Sequence, residues 1–273
     1  SGREKRPGGP PGNFGYYSET VKDIMYKRGI YRIKSNEPLT ETVFRMVVEG
    51  DTQYLTAPGQ FVNIELPGKF LRRPISVCDY DEHTVTLIYK VVGEGTARMA
   101  GMAAGGELDM LTGLGNGFST AVAARHPLLV GGGVGVPPLY NLAKRLLSEG
   151  RRVTVVLGFN TASEVFYAEE FEALGVDVVV ATADGSRGVR GFVTDAIAAG
   201  CTDYDYVYAC GPMPMLRALS GAVHVPGQFS FEERMGCGFG GCMGCTCRTH
   251  NGNKRICKEG PVLTTDEIIW EER

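Results

Sequence analysis

The sequence predicts a mixed α and β protein with an antiparallel β-barrel, a doubly wound parallel α/β domain and a small C-terminal cysteine-rich segment. Short apolar runs separated by Pro and Gly turns occupy residues 31–122, and apolar strands alternate with helical patterns from residue 126. Five of the eight cysteines fall between residues 237 and 257. We therefore expect a tail over 1–30, the barrel over 31–124, the α/β domain over 125–227 and the cysteine segment over 228–273.

Composition excludes several classes of function. The chain has 273 residues, 43% of them hydrophobic and 22% charged, and a net charge of −3. This is an ordinary soluble globular composition with no basic surplus for nucleic acid and no polybasic run for a membrane surface. No apolar stretch is long enough to span a bilayer, and no secretory signal opens the chain. Clustered cysteines favour a metal in a reducing compartment, so we expect a cytoplasmic protein.

The N-terminal region is predicted to contribute little to the fold. Residues 1–20 are rich in Pro, Gly and charge, which is typical of a disordered tail, and the Ser-Gly start suggests a cloning remnant. A short helix is expected over Val21–Arg28. In the barrel that follows, the clearest strands are those around Val43 to Val48, Phe61 to Leu66 and Thr84 to Val92, among about six in all.

From residue 126 the sequence pattern changes from short strands to alternating strands and helices, which predicts the α/β domain. Buried strands are predicted at Leu128–Val130, Val153–Phe159, Val176–Ala183 and Tyr206–Ala209. Helices are predicted between them at Pro137–Ser148, Ala168–Leu174 and Val193–Ala199. Prolines in the first turn and Gly150 after the last mark the first of these helices. Alternation of this kind predicts a parallel sheet covered by helices on both faces.

The cysteine segment carries the most specific motif. Cys237, Cys242 and Cys245 form C-x4-C-x2-C with Cys257 as a distant fourth, which is the plant-type ligand spacing of a [2Fe-2S] cluster. Interleaved glycines suit a loop that points its amides at the sulfurs. Zinc and disulfides are the alternatives, but the usual second C-x2-C pair of a zinc site is missing. Cys247 is a spare that fits the spacing less well.

Gly-rich turns at strand ends indicate phosphate binding. Arg73 and Ser76 share one barrel strand, and arginine is the side chain best matched to a phosphate. Gly93-Glu94-Gly95-Thr96 offers backbone amides at a helix start. Three later loops follow strands of the α/β domain, where such sheets bind ligands. They are the loop of Gly131, Gly133 and Gly135, the turn at Asp184–Gly188, and Cys210-Gly-Pro. The first is not a clean G-x-G-x-x-G and is weak alone; Cys210 alone is more simply a small buried residue.

Together these motifs resemble a known family. The set R-P-I-S, G-x-G-T, G-L-G-N-G-F, G-G-G-x-G-x-P-P and C-G-P is similar to the ferredoxin-NADP reductase superfamily. The segment from Glu233 to Cys245, with Cys257-Lys-Glu-Gly-Pro-Val, closely resembles the electron-transfer subunit of NAD-dependent (type B) dihydroorotate dehydrogenase. The likeness covers about residues 31–265. Departures are the N-terminal extension and Gly113-Leu-Gly, where relatives tend to have Gly-Pro-Leu-Gly.

The resemblance implies cofactors and their ligands. It implies FAD, NAD(H) as substrate and a [2Fe-2S] cluster on Cys237, Cys242, Cys245 and Cys257. The loop of Gly131, Gly133 and Gly135 and Cys210 would lie near the pyridine nucleotide. The residues implied for FAD are Arg73, Pro74, Ile75, Ser76, Ile88, Tyr89, Lys90, Gly95 and Thr96. No acid/base or nucleophile constellation is found in the sequence, so no catalytic residue is assigned.

The resemblance also implies a partner. An FMN-containing dihydroorotate dehydrogenase catalytic subunit, in a heterotetramer of two copies of each chain, would send electrons through the cluster and FAD to NAD+ in pyrimidine biosynthesis. The alternative is a reductase subunit of another flavin and iron-sulfur complex, of the sulfide dehydrogenase or NADH:ferredoxin/NADP transhydrogenase type. A self-contained oxygenase reductase and a zinc-stabilised binding module are less well supported. NAD is favoured over NADP by resemblance only, since Arg187 and Arg190 lie in a loop able to reach a 2′-phosphate.

Overall fold

The computed structural model describes residues 26–201 and 203–270. Six antiparallel strands close into a barrel in the order β1-β2-β5-β4-β3-β6, which confirms the predicted barrel. The predicted tail over 1–20 lies outside the described residues. The strands and the one helix of this region are β1 (Lys27–Pro38), β2 (Val43–Glu49), β3 (Phe61–Ile64), β4 (Arg73–Tyr80), β5 (Thr84–Lys90), α1 (Glu94–Ala100) and β6 (Glu107–Leu114).

The helix predicted over Val21–Arg28 is wrong where the structure describes it. Lys27 and Arg28 belong to β1 and pair with Thr112 and Leu111 of β6. Residues 21–25 lie outside the described residues. The extended backbone wins because β6 offers a row of unpaired amides and carbonyls that a helix here would leave unbonded.

The second region is a seven-stranded sheet in the order β10-β9-β8-β7-β11-β12-β15. All its neighbouring strands are parallel except β15, which pairs antiparallel with β12. The helices are α2 (Pro138–Ser148), α3 (Ala168–Ala173), α4 (Val193–Gly200) and α5 (Met213–Ala222). The seven strands of the sheet are β7 (Pro127–Gly132), β8 (Thr154–Phe159), β9 (Asp177–Thr182), β10 (Val189–Arg190), β11 (Tyr206–Cys210), β12 (Gly227–Ser230) and β15 (Val262–Thr264), and β13 (Thr246–Thr249) and β14 (Gly252–Arg255) form a separate two-stranded sheet.

Helices cover both faces of this sheet, which confirms the doubly wound prediction. Leu139 of α2 and Phe171 of α3 belong to one core cluster, and Ile197 of α4 and Leu216 of α5 belong to another. Along β7, Leu129 faces the first cluster while Leu128 faces the second, as alternating side chains must. Strand order reverses between β7 and β11, so the carboxyl ends of these strands form the crevice where such folds bind ligands.

The cysteine segment is continuous with the sheet. It leaves β12, forms the two-stranded hairpin of β13 and β14, and returns as β15 beside β12. The predicted boundary at residue 227 therefore falls at the start of a strand of the sheet, and the predicted domain limits stay a prediction. None of the helices in the described part of the chain is long and apolar enough to cross a membrane.

Candidate functional site

The four predicted cluster cysteines lie in two pairs. The backbone amide of Cys237 is 3.4 Å from Cys242 Sγ, and the Cys242 amide is 3.4 Å from Cys237 Sγ. The Cys257 amide is likewise 3.4 Å from Cys245 Sγ. A [2Fe-2S] cluster has two irons that each take two thiolates, so this division of the sulfurs suits that cofactor. All eight cysteines lie in the described residues, and none forms a disulfide.

The two sulfur pairs lie within electrostatic range of each other, since Cys237 contributes to the raised pKa of Cys257. Within residues 26–201 and 203–270, no three His, Cys, Asp or Glu side chains converge closely enough to hold a single metal ion. A [2Fe-2S] cluster needs four thiolates, which Cys237 with Cys242 and Cys245 with Cys257 would supply. The residues present therefore fit the cluster by number, by donor type and by their two-and-two arrangement.

The thiols differ in burial and in pKa. Cys245 and Cys257 are buried, whereas Cys242 is exposed. Burial raises the pKa of Cys257 to about 12. Burial acts in the same direction on Cys237, but the backbone amides of Cys242 and Phe239 outweigh it, and its pKa falls to about 6. Because the thiolate is the form that ligates metal, the amides of this loop favour the ligating form of Cys237.

Arg255 and Asn63 each donate a hydrogen bond to the backbone of residues 237–245, called the cysteine loop below. Arg255 Nη1 donates to the Gly240 carbonyl at 2.7 Å and its Nε donates to Glu259 Oε2 at 2.9 Å. On the barrel side, Asn63 Nδ2 donates to the Cys237 carbonyl at 3.1 Å. The partly exposed face of the loop carries Phe239 and Met243.

The barrel brings together the two motifs predicted for the FAD phosphates. A Cβ on Gly95 would lie only 2.5 Å from Arg73 Nε, so the guanidinium rests directly on this glycine. Thr96 Oγ1 accepts the amide of Val92 at 3.0 Å and orders the turn before α1. Arginine beside glycine amides is a cradle for phosphate, so these residues fit the pyrophosphate of FAD.

The other predicted flavin residues occupy different faces of the barrel. Pro74 is exposed, and Ile75 and Ser76 are partly buried beside it on β4. Ile88 is buried toward the sheet, and Lys90 lines the cavity described next. Tyr89 points into the barrel core, where its hydroxyl donates to Asn36 Oδ1 at 2.9 Å and burial raises its pKa to about 12. Only the backbone of Tyr89 is left for a cofactor.

A cavity of about 550 Å³ opens at the carboxyl ends of β7, β8 and β11. Gly133 and Gly135 line it, and Lys90 reaches it from the barrel. Gly131 and Cys210 pair across β7 and β11 behind the wall. A Cβ on Gly135 would lie 2.2 Å from the Cys210 carbonyl oxygen, so only glycine lets the two loops approach this closely. Burial raises the pKa of the Cys210 thiol to about 12, which keeps it neutral.

Two carboxylates at the cavity escaped the sequence reasoning. Glu164 lines it and accepts Asn160 Nδ2 at 2.9 Å through Oε2. A carboxylate just beyond the second strand suits a ribose hydroxyl and repels a 2′-phosphate. Glu232 lines the cavity from the segment after β12; the residue is exposed overall, but the protein around its carboxyl raises its pKa. A search of whole loops for acids, rather than of strand ends alone, would have found both.

The arginines considered for a 2′-phosphate do not line the cavity. Arg187 Nη2 instead contacts Glu169 Oε1 at 2.6 Å, which neutralises it. The side chain of Arg190 lies against Gly185, where an added Cβ would be 2.9 Å from Arg190 Cγ. The charge that the described residues present at the end of β8 is therefore negative.

Two segments of the chain match models of known protein families, and the whole chain has close relatives. Residues 232–269 match the model of the iron-sulfur cluster binding domain of dihydroorotate dehydrogenase B, and residues 129–221 match an oxidoreductase NAD-binding domain. The chain is 44% identical over 256 residues to the dihydroorotate dehydrogenase B (NAD(+)) electron transfer subunit of Shouchella clausii, covering 89% of this chain and 98% of that one. The corresponding subunit of Bacillus mycoides is 42% identical, with 90% and 100% covered.

The chain belongs to this family of electron transfer subunits. Among solved structures, an NADH-dependent reduced ferredoxin-NADP oxidoreductase is similar with a TM-score of 0.81 and 31% identity, over 89% of this chain and 91% of that one. A cytochrome P450 reductase from Amycolatopsis shares the fold, with a TM-score of 0.62 and 21% identity over 72% and 65%. The family's chemistry is that of an NAD-linked oxidoreductase with FAD, a [2Fe-2S] cluster and NAD(H).

Proposed function

We propose that this chain carries electrons from an FMN-containing dihydroorotate dehydrogenase subunit to NAD+ in cytoplasmic pyrimidine synthesis, within a complex of two copies of each chain. One observation carries the proposal. The four-cysteine segment packs against barrel strand β3, while β3 pairs with β4, the strand of Arg73 to Ser76. Cluster ligands and flavin residues thus share a wall, and Lys90 at the end of β5 lines the nucleotide cavity.

The residues have separate tasks in this account. When bound, the flavin exchanges a hydride with NAD(H) and single electrons with the cluster, which no side chain here can do. Arg73 and Gly95 bind the FAD pyrophosphate. Gly133 and Gly135 admit the dinucleotide to the strand ends, and Glu164 holds its ribose. The four cysteines hold the iron, with the exposed face of Phe239 and Met243 turned toward the partner.

The test uses the chain mixed with a dihydroorotate dehydrogenase catalytic subunit of the same organism. Dihydroorotate and NAD+ are added without oxygen, and NADH absorbance is followed. We expect NADH only when both chains are present. NADH production by the catalytic subunit alone, or none from a mixture in which both chains hold their cofactors, contradicts it.

A second candidate is electron exchange with ferredoxin, favoured by the 31% identity to the ferredoxin-NADP oxidoreductase. The carboxylate of Glu164 in the cavity argues against NADP as its nucleotide. Reduction of the chain by reduced ferredoxin, at a rate above that with dihydroorotate and the catalytic subunit, would favour this candidate instead.

A further inference from the structure

Asn63 is a residue of β3 that belongs to none of the motifs above. Its side chain is 1% exposed, yet it is polar. Nδ2 donates to the carbonyl of the cluster ligand Cys237 at 3.1 Å, across 174 residues of sequence. Through the β3 and β4 ladder, Asn63 pairs directly with Pro74, and its neighbour Phe61 pairs with Ser76. One residue therefore contacts a cluster ligand and lies opposite the flavin strand.

The outward face of β3 is the shared wall of the two cofactor regions. Successive side chains of a strand point to opposite faces, so Phe61 and Asn63 share one face and Val62 takes the other. Val62 belongs to the barrel core, whereas Phe61 belongs to the cluster that contains Cys245 and Cys257. Asn63 is therefore turned toward the cysteine segment, as its bond to Cys237 requires.

The loop is built to meet this amide. Gly238, next to Cys237, has a φ of +79°, and a Cβ there would lie 2.3 Å from Asn63 Nδ2. A side chain at this position would push the loop off the barrel and strain the backbone. Glycine brings the loop backbone into direct contact with Asn63.

Barrel stability does not explain the asparagine. Oδ1 of Asn63 is buried without a hydrogen-bond partner among the described residues. A buried polar atom left unpaired destabilises a fold, whereas an apolar residue of the same size carries no such penalty. Asn63 is thus better explained by the hydrogen bond that its Nδ2 donates to the cysteine loop than by its packing in the barrel.

We propose that Asn63 is a positioning residue that fixes the cysteine loop against the flavin strand and so sets the rate of electron transfer between flavin and cluster. Electron transfer falls off exponentially with the separation of donor and acceptor, so a small outward movement of the loop slows it. Loss of a hydrogen bond that orients a metal ligand typically lowers activity or affinity by about 10-fold to 100-fold. The inference rests on the proposed cofactor positions.

The experiment uses the full chain loaded with FAD and cluster, mixed rapidly with NADH without oxygen. NADH loses a hydride to the flavin, and one of its two electrons then passes to the cluster while the other stays on the flavin. Bleaching of the flavin and of the cluster is followed separately. Asn63→Leu deletes the donor at similar size. Asn141→Leu is the control, since it deletes an amide that donates to Asp79 Oδ1 at 2.7 Å, between α2 and β4.

In Asn63→Leu we expect unchanged flavin bleaching, cluster bleaching slowed about tenfold, and a melting temperature no lower than that of the parent. The control keeps both rates. Equal cluster rates in Asn63→Leu and the parent overturn the proposal, as does equal slowing of both phases. If Asn63→Leu and Asn63→Asp both lose the cluster, Asn63 is needed for assembly and the proposal also falls. A parent chain without flavin or cluster would instead refute the proposed function.

Discussion

The cysteine loop and the nucleotide cavity reach their chemistry by different routes. All four predicted cluster ligands lie between residues 237 and 257, and their spacing along the chain indicates a [2Fe-2S] cluster. The cavity is lined by segments from Thr40 in the barrel to Glu232 after β12. A ligand set held within one short segment of the chain is visible in the sequence. A cavity assembled from strand ends becomes visible only when the topology is known.

The largest effect is expected from loss of a cluster ligand, which should disrupt the cysteine segment and leave the nucleotide cavity intact. Cys242 is exposed, so Cys242→Ser removes a ligand with little loss of packing. We expect loss of the cluster from the iron content and from the paramagnetic resonance spectrum of the reduced chain, with no electron exchange between the partner subunit and NAD(H). Cys247→Ser is the matched control and is expected to keep the cluster. A cluster retained in Cys242→Ser but lost in Cys247→Ser would show that the ligand set is wrong.

The next largest effect is expected from a substitution at the nucleotide cavity, which should leave the cysteine segment intact. Gly135→Ala places a Cβ 2.2 Å from the Cys210 carbonyl oxygen and forces β7 and β11 loops apart. Misplacing a reacting group by about 1 Å can lower activity by about 100-fold. We expect kcat/KM for flavin reduction by NADH to fall by about that factor while the cluster spectrum is unchanged. Gly221→Ala in α5 meets no atom within 4 Å and is the control. Normal NADH kinetics in Gly135→Ala would place the nucleotide elsewhere.

A smaller effect is expected on the preference of the cavity for NADH over NADPH. Glu164→Arg replaces a carboxylate at the end of β8 with a phosphate-binding cation. We expect the ratio of kcat/KM for NADH over NADPH to fall by at least about tenfold, because the 2′-phosphate is no longer repelled. Glu172→Gln, on the exposed side of α3, is the control. An unchanged ratio would mean that Glu164 does not face the ribose.

The smallest effect concerns the barrel strand beside β3. The pKa of Asp109 is lowered, chiefly by its hydrogen bond from Arg28 and, against burial, by Arg72. A carboxyl with a lowered folded-state pKa stabilises the fold above its unfolded-state pKa of about 3.9, and this contribution is lost as pH falls further.

Asp109→Asn is therefore expected to lower the free energy of unfolding by about 1–2 kcal/mol at neutral pH. The difference should shrink in denaturant titrations below about pH 4. Since Asp109 touches neither the cysteines nor the cavity, cluster and NADH spectra should stay the same. A difference that persists at low pH would mean that the carboxylate charge is not its source.

The same contrast explains which elements the sequence could predict. The barrel, the sheet and its first three helices follow periodic patterns and end at clear turns. Helix α5 was not predicted, because Pro212, Pro214 and Gly221 interrupt its pattern. The two-residue strand β10 is too short to show any period. The hairpin of β13 and β14 is polar and is ordered by the loop around it rather than by its own alternation.

The functional residues also fall into two groups, those that belong to sequence motifs and those that only the fold brings to the site. The cysteines and the Arg73 and Gly95 cradle belong to motifs that the sequence displays. Glu164 follows its strand in a short turn and folds back onto Asn160, so a search at the strand end misses it. Asn63 contacts the cluster loop only through tertiary structure, since nothing local marks an asparagine in a barrel strand as part of a redox site.

The most direct test of the account is a stepwise titration of the purified chain with NADH in the absence of oxygen, with visible absorption and paramagnetic resonance recorded together. The account predicts flavin and iron-sulfur absorption in the oxidised chain, bleaching of both by NADH, and the signal of a reduced [2Fe-2S] cluster. A colourless chain that contains zinc, or a flavin that NADH reduces while an intact cluster stays oxidised in the presence of excess NADH, would contradict it.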